Sequence, residues 1–276
     1  MKQNLCLAIP CPIALLAPNA NGGIGVAEDK VAVVTGATSG IGRAVTVGLA
    51  RAGYRLAILG RRAARLEETM DLTRLGEDRI MARKCDVTDH PAVRGFFTET
   101  IQHFGRVDLV FNNAGRFSTP ANFGDTDIVE WRSTLSTNLY GAFYVAFEAY
   151  RTMRDQRPQG GRIINNGSIS AQVPRPHAAP YTVSKSAITG LTKQISLDGR
   201  EHNIACGQID IGNAASEMTE AMAKGVLQAN GQMAPEPRMD PKGVVDAILY
   251  MDSLPLESNV QFMTVMATKM PFIGRG

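Results

Sequence analysis

From Lys30 onward the chain alternates short apolar runs with longer stretches whose apolar residues recur at helical spacing. KVAVVTG is β-branched and ends in glycine, which predicts a buried strand. IGRAVTVGLARAG follows with helical periodicity and closes on Gly53. RLAIL (55–59) reads as a second strand, RRAARLEETMDLTRLG as a charged amphipathic helix, and RIMARKCDV as a third strand. Asp89 is placed to cap a helix through PAVRGFFTETIQHFG, and VDLVFNNAG gives a fourth strand. One long helix is predicted from about Asp127 to Met153. GRIINNGS is a fifth strand, Pro180 to Glu201 a helix, and NIACGQI a sixth strand. DPKGVVDAILYMDSLP is a helix with a clear start and stop, and VQFMTVMA is a last strand.

Strands that are apolar throughout, alternating with helices, predict right-handed crossovers and a parallel sheet covered on both faces. The expected fold class is α/β: a single-domain, Rossmann-like, doubly wound parallel sheet of about seven strands, spanning 29–276. The stretch 211–237 is poor in strand pattern and rich in Met, Ala, Gly and Pro, and is expected to be a mobile helical flap beside the site. Residues 1–28 are expected to be a loosely ordered extension. Their apolar stretch after Lys2 superficially resembles a secretory signal, but Pro10 and Pro12 interrupt it and it is too short to span a bilayer.

Composition narrows the function classes. A chain of 276 residues with 44% hydrophobic and 20% charged residues can bury a sizeable core. A net charge of +3 without a basic run, and 6% aromatics, argue against nucleic acid as a partner. Cys6, Cys11, Cys85 and Cys206 form no CxxC pair, so no metal site or redox motif is expected, and reduced thiols in a cytoplasmic setting are. No membrane association is expected.

Two stretches carry chemistry. TGATSGIG (35–42) places Gly36, Gly40 and Gly42 between a strand and a helix, where glycines permit a tight turn and helix N–H groups face a pyrophosphate. In PYTVSK (180–185), Tyr181 and Lys185 lie one helical turn apart, so an ammonium can act on a phenol.

TGxxxGxG with Tyr181 and Lys185 resembles the short-chain dehydrogenase/reductase family of the classical type. NNAG (112–115), Ser168 at the family's usual separation ahead of Tyr181, and Asn138 in STNLYGAF strengthen the resemblance, which covers most of the chain from about Lys30. It implies reversible hydride transfer between a nicotinamide and a small-molecule carbonyl or alcohol substrate. Tyr181 is then the proton donor or acceptor. Lys185 lowers its pKa and binds the nicotinamide ribose, Ser168 bonds the reacting oxygen with Ser170 as competitor, and Asn138 holds a relay water. The implied cofactor contacts are Gly36, Thr38, Ser39, Gly40, Ile41, Gly42, Asp86, Val87, Asn113, Ala114, Gly115, Tyr181 and Lys185, with the backbone of Ile209 at the nicotinamide amide. Gly60 stands where NAD-using relatives carry Asp, and Arg61 and Arg62 follow it. NADP(H) is therefore favoured over NAD(H), with Arg61 the main contact. A homodimer or homotetramer is implied by analogy.

The chain also departs from the family pattern. In CGQIDIGN, Cys206 replaces a proline and Ile211 stands near an expected threonine, leaving Asn213 as a substitute. The chief alternative is a dinucleotide-binding sensor or partner protein with little or no turnover. The substrate is not readable from the sequence. Met218, Met222 and Met233 are candidate pocket residues, and His177 is expected on the surface.

Overall fold

In the computed structural model, which describes residues 29–273, the apolar runs become strands β1 (Val31–Thr35), β2 (Arg55–Gly60), β3 (Ile80–Lys84), β4 (Leu109–Asn112), β5 (Gly161–Asn166) and β6 (Ile204–Gly212). A short antiparallel pair, β7 (Val226–Leu227) and β8 (Met233–Ala234), precedes β9 (Phe262–Met266). The helices are α1 (Gly40–Arg51), α2 (Ala63–Thr73), α3 (His90–Phe104), α4 (Ile128–Leu135), α5 (Ala142–Asp155), α6 (Ala179–Asp198), α7 (Glu220–Lys224) and α8 (Lys242–Ser253). Apart from the short pair, the strands form one parallel sheet in the order β3-β2-β1-β4-β5-β6-β9.

Side chains alternate across a strand, so each buried strand feeds two cores. Val31 and Val33 face a core with Phe97, Val145 and Ile163. Ala32 and Val34 face the other, with Leu49, Phe111, Ile164 and Ile248. This is the Rossmann-like doubly wound sheet that the apolar pattern predicts. Helix ends follow their local signals. The Asp89 carboxylate accepts from the Ala92 N–H at 3.1 Å, Pro91 occupies the first turn, and Gly105 closes α3 at φ 82°.

Two expectations need correction. The long helix from Asp127 is broken by a π-helical turn at Ser136–Gly141, which separates α4 from α5 and carries Asn138. Such turns are rare and gather at functional sites. Strand β6 runs three residues past NIACGQI because β9 pairs beside it, from Gln208–Phe262 to Gly212–Met266. The segment 211–237, expected to be a mobile helical flap, mixes helical and extended backbone. It contains the end of β6, a short 3₁₀ turn, α7 and the β7–β8 hairpin, with Gly225 at φ 137° ending α7. It is tied back by the Met239 N–H to the Asn213 carbonyl at 2.9 Å. Residues 1–28, with Cys6 and Cys11, lie outside the described residues. Among the described residues, no helix is long and apolar enough to cross a membrane, and no His/Cys/Asp/Glu group is arranged to hold a metal ion.

A polar knot fixes the last helix to the sheet. Arg162 of β5, 1% exposed, donates to the carbonyls of Leu254, Pro255 and Ser258 and to Asn259 Oδ1. Asp252 of α8 lies 3.8 Å from its Nε and accepts from Lys30 and the Tyr54 hydroxyl. Asp252→Ala should cost about 3–5 kcal/mol, because it strands a buried guanidinium. Urea unfolding checks this, and a loss below about 1 kcal/mol would mean that the knot contributes little.

Candidate active site

The sheet order reverses between β1 and β4, and in sheets of this kind ligands sit outside the carboxyl ends of the strands at such a point. A cavity of about 830 Å³ lies there, bordered by the loops after β1, β2, β3, β4, β5 and β6. Its first wall is the glycine turn. Gly36 and Gly40 adopt φ of 67° and 53°, conformations that side chains resist. A Cβ on Gly42 would lie 2.2 Å from the Gly36 carbonyl oxygen, so α1 packs directly on the strand end. Ser39 precedes α1 without capping it, and the first turn holds no acidic residue. The orphan N–H groups of the helix start therefore face the cavity, as a pyrophosphate requires. The residues present fit a dinucleotide. Thr38, Ser39, Ile41, Ala114 and Gly115 line this wall with the glycines, and Asp86, Val87 and Asn113 line its neighbour.

At the far end lie Arg61 and Arg62. Arg61 is 67% exposed and 4.0 Å from Asp86. Arg62 donates through Nη2 to Thr38 Oγ1 and Ser39 Oγ, each at 2.9 Å. Its Nη1 is 4.0 Å from Glu217, a contact no sequence pattern announces. Both arginines thus border the cavity. A Cβ on Gly60 would lie 2.5 Å from Thr38 Cγ2, so no carboxylate fits at position 60 while Thr38 is in place.

At the other end β5 runs into Gly167 and Ser168. A Cβ at position 167 would lie 2.0 Å from Asp210 Oδ1, so a side chain there would displace Asp210. Ser168 and half-buried Tyr181 border the cavity, and the Ser168 hydroxyl hydrogen-bonds the phenol. Ser170 also lines the cavity, but its N–H donates to Ser168 Oγ at 3.1 Å, so it supports Ser168 rather than replacing it. Lys185 is 5% exposed and donates to the Asn166 carbonyl at 2.7 Å. Its Nζ lies 5.7 Å from the Tyr181 ring centroid.

Burial raises the pKa of the Tyr181 phenol. The Ser168 hydrogen bond, and then the charge of Arg175, oppose that rise. Burial also pulls the pKa of Lys185 down to about 8, against an upward pull from Asp210. Asn138 stands outside the cavity wall, 1% exposed. Its Oδ1 accepts from the Arg116 N–H at 2.8 Å, and its Nδ2 donates to the Arg116 carbonyl and to Ser184 Oγ. A Cβ on Gly115 would lie 3.3 Å from Asn138 Oδ1 and 3.8 Å from Lys185 Nζ, so this glycine keeps a gap open between the two.

Ile209 is displaced from its expected place. It is fully buried in β6, its carbonyl accepts from the Gly167 N–H at 2.9 Å, and Ile211 lines the cavity instead. The longer β6 moves the rim by two residues. Cys206 is likewise inside the strand and fully buried, so that departure from the family pattern falls in the sheet rather than in a loop. Asn213 lines the cavity but commits its amide to Glu236 and Arg175. Met218, Met222 and Met233 all border the cavity, and His177 lies exposed at its rim. Arg116 and Arg175, which the sequence reading passed over, line it too. Neither sits in a periodic segment, and only the fold brings them in.

Known proteins match this geometry. The chain matches the family described as short chain dehydrogenase over residues 30–226. It is 30% identical over 207 residues to the 3beta-hydroxysteroid dehydrogenase of Mediterraneibacter gnavus, covering 75% of this chain and 74% of that one. It is 30% identical over 241 residues to sulfoacetaldehyde reductase 2 of Chromohalobacter salexigens, covering 87% and 94%. Among solved structures, a short-chain type dehydrogenase/reductase from Mycobacterium marinum superposes with a TM-score of 0.76 at 26% identity, over 86% of this chain and 94% of that one.

A buried lysine with a depressed pKa leaves a mark on stability. Between about pH 8 and the unfolded value near 10.4, the unfolded chain binds more protons at Lys185 than the folded one, so this residue makes stability rise with pH. The buried Cys85 and Cys206 thiols, raised by burial, act in the opposite sense in the same range. The wild type and Lys185→Met share those thiols, so their difference isolates the lysine. On going from pH 7.5 to 9.5, the wild type should gain stability relative to Lys185→Met, measured by urea unfolding of cofactor-free protein. An unchanged difference would mean that the ammonium keeps its ordinary pKa.

Proposed function

Since the chain belongs to the short-chain dehydrogenase/reductase family, we propose that it is an NADP(H)-dependent oxidoreductase interconverting a small-molecule carbonyl compound and its alcohol through Ser168, Tyr181 and Lys185. One observation carries the reading: the Ser168–Tyr181 pair and the glycine turn at α1 border the same continuous cavity. The family's nicotinamide dinucleotide, bound there, supplies a hydride, two electrons with a hydrogen nucleus, to the carbonyl carbon.

In the direction of reduction, Tyr181 gives its phenolic proton to the carbonyl oxygen. Its raised pKa keeps the phenol protonated at neutral pH, as a donor must be. Ser168 donates to the same oxygen, where negative charge develops. Lys185 returns a proton toward Tyr181, and its pKa of about 8 lies close to working pH, which suits a relay. Asn138 positions the 115–116 backbone, and the gap beside Gly115 suits a water between Asn138 Oδ1 and Lys185. Oxidation runs through the same groups in reverse.

The preference for NADP(H) rests on charge and space. Arg61 and Arg62 offer a fork to a 2′-phosphate, and Thr38 excludes the carboxylate that would select the unphosphorylated ribose. The hydrogen bonds of Arg62 to the glycine turn make it a contact equal to Arg61, not merely the start of a solvated helix. We extend the proposal to a homo-oligomer working in the cytoplasm, with residues 29–276 as one domain. Phe143 and Phe147, exposed and stacked on α5, suit a second copy. The two named relatives act on unlike substrates by their names, a steroid and a sulfonated aldehyde, so they do not choose between classes.

Tyr181→Phe should lower turnover by about 10²–10⁴-fold while leaving the affinity for NADPH nearly unchanged. Steady-state rates and NADPH fluorescence titration measure the two, and retained turnover removes Tyr181 from the chemistry. The wild type should use NADPH better than NADH, and Arg61→Ala with Arg62→Ala should cut that ratio in kcat/KM about tenfold or more. A wild type that prefers NADH sinks the cofactor assignment.

A further inference from the structure

The part of the cavity wall formed by Phe117, Ile169, Ile211, Leu227 and the thioethers of Met218, Met222 and Met233 is apolar. Unbranched thioethers fit themselves to varied apolar shapes. Two cations interrupt this wall, and the chain's own carboxylates close both. Arg116 donates through Nη2 to both oxygens of Glu130, at 2.8 and 2.9 Å. Arg175 donates through Nη1 and Nη2 to the two oxygens of Glu236, at 2.9 and 2.6 Å, and through Nη2 to Asn213 Oδ1.

Glu236 is 2% exposed and also accepts from the amides of Asn213 and Gln228. Burial alone would raise its pKa, but hydrogen bonds from Arg175 and Asn213 outweigh burial and hold it below the ordinary carboxylate value. It is therefore a charged partner. A substrate carboxylate or sulfonate reaching Arg175 would have to share one guanidinium with a buried like charge, at short range and out of water.

On the reading that this site is an oxidoreductase, we infer that its substrate is a neutral, predominantly apolar ketone, and that the Arg175–Glu236 pair excludes ketones carrying an anionic group beside the carbonyl. In the reaction, a hydride from NADPH forms the new C–H bond, the Tyr181 proton forms the O–H bond, the ketone becomes a secondary alcohol, and NADPH becomes NADP⁺. The discrimination follows from which charges are already paired in the wall. Arg175 and Tyr181 line the same cavity, and the charge of Arg175 acts on the phenol, so an anionic group beside the reacting carbonyl comes within the field of this pair. His177 is a further ionisable side chain lining the cavity, and its backbone carbonyl accepts from the Ala121 N–H.

The test uses matched probes with NADPH-loaded protein: octan-2-one, ethyl 2-oxooctanoate and its anion 2-oxooctanoate. The two neutral probes should be turned over with kcat/KM at least about a hundredfold above the anion. Glu236→Gln leaves Arg175 with an unmatched charge and should narrow the ester-to-anion ratio about tenfold or more, through KM for the anion. The double variant Arg175→Gln, Glu236→Gln is neutral again and should not gain the anion. Binding is read separately, by the thermal shift that each probe gives the NADPH-loaded wild type. Neutral probes that bind without turnover sink the oxidoreductase reading and uphold the pocket's selectivity. Binding or turnover of the anion equal to that of the ester overturns the inference, as does failure of both neutral probes to bind. Should Glu236→Gln not fold, by circular dichroism, the wild-type arms decide alone.

Discussion

The site depends on a ladder of hydrogen bonds across three strand ends that finishes on one buried ammonium. The Thr35 hydroxyl accepts from the N–H groups of Asn113 and Ala114, each at 2.8 Å, and the Thr35 carbonyl accepts from Asn113 Nδ2. Asn113 Oδ1 accepts from Asn166 Nδ2, and the Asn166 carbonyl accepts from Lys185. A buried lysine without such an acceptor would carry its full desolvation cost. Placing Lys185 on this carbonyl therefore fixes α6, and with it Tyr181, against β5. Each bond is modest alone, roughly 1 kcal/mol net. Because they run in series from β1 to α6, no one strand end can shift without disturbing its neighbours.

The same ladder explains why the glycines sit where they do. Gly42 brings α1 against the Gly36 carbonyl, Gly115 leaves a gap before Lys185, and Gly167 gives way to Asp210. Each is a place where backbone must approach another group more closely than a side chain allows. The cavity is thus a consequence of where the chain omits side chains as much as of where it supplies them.

The sheet was legible because its strands are apolar on both faces and its helices carry periodic signals and caps, Asp89 and Gly105 among them. The glycine turn and the Tyr181–Lys185 pair were legible from local spacing on one turn and one helix face, and Ser168 through the family resemblance. What the sequence hid depends on long-range backbone pairing. The end of β6 is set by β9, some fifty residues later, so the strand continues past Ile209 to Gly212 and Ile211 reaches the cavity instead. The π turn around Asn138 leaves no periodic trace, since one added residue in a turn shifts the pattern by less than a helix face. Arg175 and Glu236 come from separate loops, and neither segment reveals the other.

Charge is distributed unequally along the cavity, and that gives it a direction. At the adenosine end of the proposed cofactor, Arg61 and Arg62 touch Asp86 and Glu217 only at 4.0 Å, and all four side chains are well exposed. Such contacts are worth little and give way easily to a phosphate. Beyond Tyr181, Arg175 is held at short range by a carboxylate that water barely reaches, and exchanging that partner is costly. On the proposed reading, a dinucleotide lies with its pyrophosphate against α1, a 2′-phosphate at the arginines and its nicotinamide ring beside the phenol. On that reading, the weakly paired arginines that receive the cofactor's phosphate and the tightly paired Arg175 that resists a substrate anion divide the charge of one cavity between two tasks.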